Sequence, residues 1–585
     1  MRLFRGNPVS VRCGRVLLVV FAAWLISRTV YAQSAPGKNE HGAVSLADKI
    51  LGTRIVDSVG STSIPLDSWI YPAVERLAAQ GYVRNQFLGL RPWTRVAVAE
   101  MLTDASEHSD YDPQPEAFVV SLMNRLQAEF ARELSLETLP NQAIRLESLY
   151  GRAGFISGTP LNDSYHFGQT IVNDFGRPYG EGFNAVAGFT TRGEFGRFSI
   201  FVRGEYQHSA PAGTLPAAVR NVLASIDNTA ALPPATMPSG DGFRLLEAYA
   251  GVTFLGHQLS IGKQSLWWGP GESGAMILSD NAEPFYMVRL AREVPLHLPG
   301  ILRWLGPVRY DNFFGKLAGH QFPPDPFMYG QKISLKPTPN LELGFSRTTV
   351  FAGKGLSPLT FGSFFHSFFS VTSGNGLAGN LRRNPGARHA GFDFSYRLPG
   401  LRRWLTIYSD SLVHDDVSPV SAPRRSAINP GIYLSHVPGI PRLDFRAEAV
   451  STDPPTGSSV NGAFLYWEVI YRDLYLNKGK LMGSWIGREG KGGQARLTYW
   501  LSPSSTIQFS YRNAKVAKDF IPGGVTQNDF SVNTRMRLHR DLELQSSLQY
   551  ERWSAPLLAN GPRSDFTTSV QVTYWPKRIM KKAAQ

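Results

Sequence analysis

The sequence predicts a mainly β protein: a transmembrane antiparallel β-barrel of roughly 18 to 20 strands, preceded by a small helical block. Three observations predict it. From Ile144 to the end the apolar period falls from 3.6 to 2, in recurring segments of about 10 residues. The chain opens with an export signal. The connections between segments alternate between tight turns and long links, as they do in outer-membrane barrels.

Residues 1–32 have the three parts of a signal peptide: a basic start, an apolar run from Val16 to Ile26, and the small-residue site Val30-Tyr31-Ala32 before Gln33. The run is too short for a spanning helix, which takes about 20 residues. Arg2, Arg5, Arg12, Arg15 and Arg28 all lie here, so part of the net charge of +14 leaves with the signal. The remaining excess is modest and forms no basic stripe, so nucleic acid is not an expected partner. Cys13 is the chain's single cysteine and precedes the apolar run, which excludes disulfides and thiolate metal sites from the exported chain. No other stretch approaches 18 apolar residues, and a mean hydropathy of −0.17 with 12% aromatic residues suits a surface alternating between lipid and water.

Residues 33–62 read as a polar tether and 63–140 as a helical bundle. Trp69, Pro72, Val74, Leu77 and Ala78 follow a helical period that Gly81 ends, and Pro72 sits in the first turn, where its missing N–H costs little. Thr94 is placed to cap a second helix carrying Val96, Val98, Met101 and Leu102. A third begins near Pro115 and buries Phe118, Leu122, Leu126 and Phe130. Such a bundle either packs its own core or plugs one mouth of the barrel.

Residues 141–576 are the barrel, with Phe198–Tyr206, Leu341–Arg347, Ile507–Tyr511, Leu542–Tyr550 and Phe566–Tyr574 among its clearest strands. Tight turns are expected near residues 194–197, 255–257, 337–340, 399–402, 438–441, 502–505 and 539–541. Long links are expected at 158–182, 209–241, 266–283, 352–387, 413–427, 451–460 and 554–563, with the strand count least certain over 473–491. The last strand stops at Trp575, ahead of a basic tail, 577–585.

One stretch stands out: Gly262-Lys-Gln264 runs into Trp267-Trp268-Gly269-Pro270 and closes on Ser279-Asp-Asn-Ala282 and Pro284. With the run Pro65-Leu-Asp-Ser-Trp-Ile-Tyr-Pro72, Glu75-Arg-Leu-Ala78 and Gly89-Leu-Arg-Pro-Trp-Thr94, it resembles the Wzi-type capsule assembly proteins over essentially the whole exported chain. The resemblance implies an outer-membrane barrel of about 18 strands with a helical plug at its periplasmic end. It also implies a non-catalytic, lectin-like role in holding capsular polysaccharide or exopolysaccharide at the cell surface, without a cofactor. Outer-membrane lipids or lipopolysaccharide and the polysaccharide export machinery are the other expected partners. A porin-like or gated channel is the alternative.

Sugar binding needs aromatic faces and planar hydrogen-bonding groups, and an acidic polysaccharide adds a need for guanidinium groups. On the long-link side the candidates are Trp267, Trp268 and Asn281, with Arg382, Arg383, Arg388, Arg424 and Arg425. Each has a plainer reading: tryptophans as core or girdle, arginines on lipopolysaccharide phosphates, Asn281 as a turn cap. Enzyme motifs are poor. Gly374-x-Gly376-x-x-Gly379 has no helix to receive a pyrophosphate, His414-Asp415-Asp416 lacks a second histidine at ligand spacing, and His366 among four phenylalanines reads as packing.

Overall fold

The computed structural model describes residues 58–109, 116–136, 141–210, 215–230, 241–370, 384–401, 404–454, 464–518 and 520–576. The expected signal, most of the tether, the Gly374–Gly379 motif, Arg382, Arg383 and the basic tail lie outside them.

One sheet makes the wall. Eighteen long strands run antiparallel in chain order, each bonded to the next, and a two-residue piece, Leu296–His297, prolongs the sixth. The first six are β1 (Gln142–Ser157), β2 (Gly182–Phe195), β3 (Phe198–Ser209), β4 (Gly242–Phe254), β5 (His257–Lys263) and β6 (Tyr286–Arg292). Next come β7 (Pro307–Lys316), β8 (Phe327–Thr338), β9 (Leu341–Phe351), β10 (Ala387–Arg397), β11 (Leu405–His414) and β12 (Ala427–Leu434). The wall ends with β13 (Leu443–Ser451), β14 (Lys491–Ser502), β15 (Ser505–Val516), β16 (Val525–His539), β17 (Leu542–Ser554) and β18 (Arg563–Tyr574). The barrel closes because β1 pairs with β18, Leu149 opposite Tyr574, as well as with β2. Closure leaves no edge to be satisfied in lipid.

Alternation along each strand sorts the faces. Phe155, Ile261, Phe509 and Phe530 point outward and are more than half exposed, whereas Asp311 and Lys332 point inward and are fully buried. Polar inside and apolar outside is the reverse of a soluble sandwich and is the pattern a lipid-seated wall requires.

The tight turns fall where the sequence places them, joined by a longer connection at 293–306, and all lie at one end. Two connections at the other end, 317–326 and 517–524, were not anticipated. The link after β13 is much longer than the expected 451–460: it runs to Gly490, and among its described residues the sole strand pairing is a short hairpin, Leu476–Asn477 with Lys480–Leu481. Its aromatic and aliphatic residues, which mimic strands, are packed inside the lumen.

Among the described residues three α-helices precede the wall: α1 (Ile70–Gln80), α2 (Arg95–Ser109) and α3 (Ala117–Glu129). Gly81 stops α1 at φ 93°, so that its N–H and that of Tyr82 close on the carbonyls of Ala78 and Leu77. The Thr94 hydroxyl accepts the Ala97 N–H at 3.3 Å, as its capping position requires. Leu77, Leu102, Leu122, Leu126 and Phe130 form the bundle's core together with Trp500 of β14. The bundle therefore packs its own core and plugs the barrel as well, at the tight-turn end. Arg76 reaches Asp444 at 3.2 Å, Arg397 donates to the Ala78 carbonyl at 3.0 Å, and Lys336 donates to those of Arg84 and Gln86. The wall's last turn is stacked too, with Arg537 3.8 Å above the ring of Trp575.

Candidate functional site

The link from β5 to β6 turns inward and descends into the lumen. Its glycine–proline break prevents helix formation, and wall carboxylates hold its free N–H groups: Glu448 takes those of Glu272 and Ser273 at 2.8 and 2.7 Å, and Asp410 takes that of Met276 at 2.6 Å. Gly269 has to be glycine, since a Cβ there would lie 2.4 Å from an Asp410 carboxylate oxygen. At its lowest point the link meets the helical bundle. Trp267 and Arg91 exchange both backbone hydrogen bonds at 3.0 Å, and the Gly269 N–H donates to the Gly89 carbonyl at 3.0 Å.

An ionic cluster reinforces this seam. Arg91 pairs with Glu75 of α1 and with Glu272 of the link, the latter at 2.7 Å, and Arg446 of β13 reaches Glu75 at 3.0 Å. Burial pushes Glu75 up to about 7 against the pull of Arg91. Burial would raise Glu272 as well, but Arg91, Arg446 and Arg496 hold it down at about 2.

Two more links complete a roof. Tyr466 donates to the Met276 carbonyl at 2.7 Å and Ser279 to that of Gly483 at 2.7 Å, tying the link after β13 to the one after β5. The link after β1 turns inward over the neighbouring wall strands β15 and β17: Thr170 donates to Glu551 at 2.9 Å, and its carbonyl accepts from Arg512 and Gln549 at 3.0 and 2.9 Å. Within it, His166 lies between Asp163 at 2.7 Å and Asp227 at 2.8 Å. Burial opposes its charge, yet Asp163 and then Asp227 raise it to about 10.

Between roof and plug a cavity of about 500 Å³ remains, bounded below by Trp69, Pro72 and Glu75 and above by residues 170–174. Its wall is the inward face of β12–β18, β1 and β2. That face is dominated by uncharged amides and hydroxyls, among them Gln494, Gln508, Asn533, Gln545, Gln549 and Gln571, all half-buried. Arg496 projects among them and donates to two neutral acceptors, the Glu272 carbonyl at 3.2 Å and the Gln494 side chain at 2.9 Å. Amide and hydroxyl ladders match the donor and acceptor density of sugar hydroxyls, and Arg496, which feels the Glu272 carboxylate without forming an ion pair with it, can accept a uronate or other anionic substituent.

The expected site residues are scattered. Trp268 is fully buried against Phe313, ring centroids 5.3 Å apart, and Trp267 is 6% exposed with its indole N–H on the Gly271 carbonyl. Asn281 is buried as well and bonds the Leu481 carbonyl at 3.1 Å. These three are structural members of the roof and seam, so no ring or amide face is left for a ligand. Arg388 is not on a surface link but on the outward face of β10, covered by a helix described below. Arg424 and Arg425 do lie on the roof side, between β11 and β12, where Arg425 pairs with Asp416 at 2.8 Å and covers the Phe464 ring. His414 stacks on His389 at 4.8 Å and bonds the Phe464 carbonyl, a packing role. The amide ladder was overlooked. Its signal is the change from charged inward faces, such as Arg203 and Glu205 on β3, to an uncharged run, Gln545, Ser547 and Gln549, set between Glu543 and Glu551 on β17.

A closed wall with an apolar outer face, a helical plug and a roof tied to it define an outer-membrane β-barrel with a filled lumen. The family described as "Capsule assembly protein Wzi" matches residues 152–568, and the chain belongs to that family. A protein from the cps region of Klebsiella pneumoniae, described as an uncharacterized 55.8 kDa protein, is 32% identical over 183 residues, which span 31% of this chain and 35% of that one. Among solved structures the fold is similar to Escherichia coli Wzi, described as an outer-membrane protein involved in group 1 capsule assembly and a carbohydrate-binding β-barrel. The two share 18% identity and a TM-score of 0.64, over 89% of this chain and 100% of that one.

Proposed function

We propose that this outer-membrane protein binds and organises capsular polysaccharide or exopolysaccharide at the cell surface, as a lectin-like barrel without catalysis. The observation that carries this reading is the seam between Arg91 and Trp267, which joins roof to plug and leaves a polar chamber in place of a continuous pore. Such a chamber suits the holding of sugar residues through amides, hydroxyls and Arg496, and Arg424 and Arg425 offer a second, more exposed contact at the rim. Arg382 and Arg383, on the link after β9, are further candidates for the same polysaccharide. Lipopolysaccharide surrounds the wall in this reading, and the export machinery is the partner that would deliver the polymer.

The test is binding of the folded, detergent-purified protein to the producing cell's own surface polysaccharide, with single-channel conductance on the same sample. Saturable binding with a closed pore supports the proposal. Steady conductance without binding would make the protein a channel and end the lectin reading.

A further inference from the structure

A fourth described stretch of helix beyond the plug, Ala217–Ile226 (α4), belongs to the link after β3, and a fifth, Phe361–Phe369 (α5), to the link after β9. The α5 helix does not enter the lumen. Its inner face, Phe364 and Phe368, packs on Phe314, Tyr329 and Phe351, with ring centroids between 5.6 and 6.2 Å for Phe364 and 5.7 Å from Phe368 to Tyr329. Those wall residues share the outward faces of their strands. Tyr329 alternates with the buried, inward Lys332 and lies on the face of Ile333, while Phe351 lies on the face of Phe345. The helix therefore lies against the outside of the barrel, at the roof end.

Two arginines on that outside wall hold it. Arg347 donates to the carbonyls of Phe368, Ser367 and Ser370 at 2.9, 3.2 and 3.2 Å, and Arg388 donates to Ser370. Cations at the helix's C-terminus satisfy its free carbonyls and complement its dipole. A guanidinium on a lipid-facing strand is costly unless covered, and here α5 is the cover. The second amino group of Arg388 is buried and has no hydrogen-bond partner among the described residues.

The far face of α5 is apolar and uncovered: Phe361 is 86% exposed, Phe365 51% and Phe369 42%, at four-residue steps along one side. It continues the wall's lipid-facing surface. We infer that α5 is seated in the outer leaflet of the membrane, with Phe361, Phe365 and Phe369 among the acyl chains and the Arg347–Arg388 pair at headgroup level. The helix then fixes the depth at which the link after β9 leaves the bilayer. This holds whether or not the lumen binds polysaccharide.

The chain's single cysteine allows a direct test. In a Cys13→Ser background, Phe361→Cys and Phe365→Cys are labelled with a polarity-sensitive fluorophore and the full protein is reconstituted in phosphatidylcholine vesicles with brominated acyl chains. Val417→Cys, at a 77% exposed position in the link between β11 and β12, is the aqueous reference. The two phenylalanine positions should be quenched several-fold more strongly by the chain bromines than the reference and should be shielded from aqueous iodide. Iodide quenching equal to that at 417, without bromine quenching, overturns the inference. Phe361 is exposed enough that its replacement removes little packing, so it decides alone if Phe365→Cys fails to fold.

Discussion

The two sides of the lumen differ in how roof meets plug. Beside β4–β11 they are joined: backbone hydrogen bonds link Arg91 to Trp267 and Gly89 to Gly269, and inward charges are paired, Arg289 with Asp311 at 2.9 Å and Arg309 with Glu293 at 2.9 Å. Beside β14–β18 they are held apart, and around the cavity the wall presents mostly neutral amides and hydroxyls between the ion pairs of Arg512 with Asp529 and Arg152 with Asp174. A buried charge needs a partner of opposite sign and so calls for a filled, fixed neighbourhood. An amide can exchange its partner for water or a sugar hydroxyl at little cost. One side is therefore suited to hold the molecule shut and the other to receive a ligand.

The largest effect should come from breaking the joined side. Trp268→Ala empties a fully buried ring site and should destabilise the protein by about 3–5 kcal/mol, read from the denaturant midpoint in detergent. It should also raise single-channel conductance, and a conductance as low as that of the native protein would show that the seam is not what closes the lumen.

The roof has a pH signature. His166 is raised to about 10, so its contribution to stability is complete below its unfolded value of about 6.5 and is lost as pH rises through about 10. The unfolding midpoint should fall across that window, and the fall should flatten in His166→Gln. An equal slope in both proteins would remove His166 from the account.

On the open side, Arg496→Ala should weaken binding of an acidic polysaccharide by about 1.5–3 kcal/mol, tenfold or more, while stability changes by no more than about 0.5 kcal/mol. Titration calorimetry beside a melting curve separates the two. The smallest effect belongs to the rim: Arg424→Ala with Arg425→Ala should cost about 0–1 kcal/mol of binding and should fade as salt rises. A loss there larger than that from Arg496→Ala would move the binding site from the chamber to the surface.

The barrel was legible because strand alternation and turn residues are local. Gly81, Thr94 and the seven tight turns act within a few residues of themselves, and the structure keeps each of them. The site was less legible because its geometry is made by links that fold inward over long sequence separations. Nothing near Trp268 announces that Leu278 and Phe313 will enclose it, and paired tryptophans beside a glycine–proline break read equally well as a sugar platform. Arg388 shows the same limit. Its position on β10 follows from alternation, but only the return of α5 over the wall makes it a membrane-side clamp. The link from 452 to 490 was hard for another reason, since apolar residues bound for a lumenal core carry the same pattern as a strand.

The exchange of hydrogen bonds between Arg91 and Trp267 has a mechanical meaning as well. A polymer dragged by flow pulls on whatever grips it at the surface. Because the roof is bonded to the helical bundle and the bundle to the turns of β8–β14, tension entering from outside spreads over many strands in shear. No single flexible link carries it alone. In shear the hydrogen bonds of neighbouring strands must yield together, which is the stiffest way to pull on a sheet. Under the proposed function, the plug would let the barrel bear a pulled polymer without unravelling.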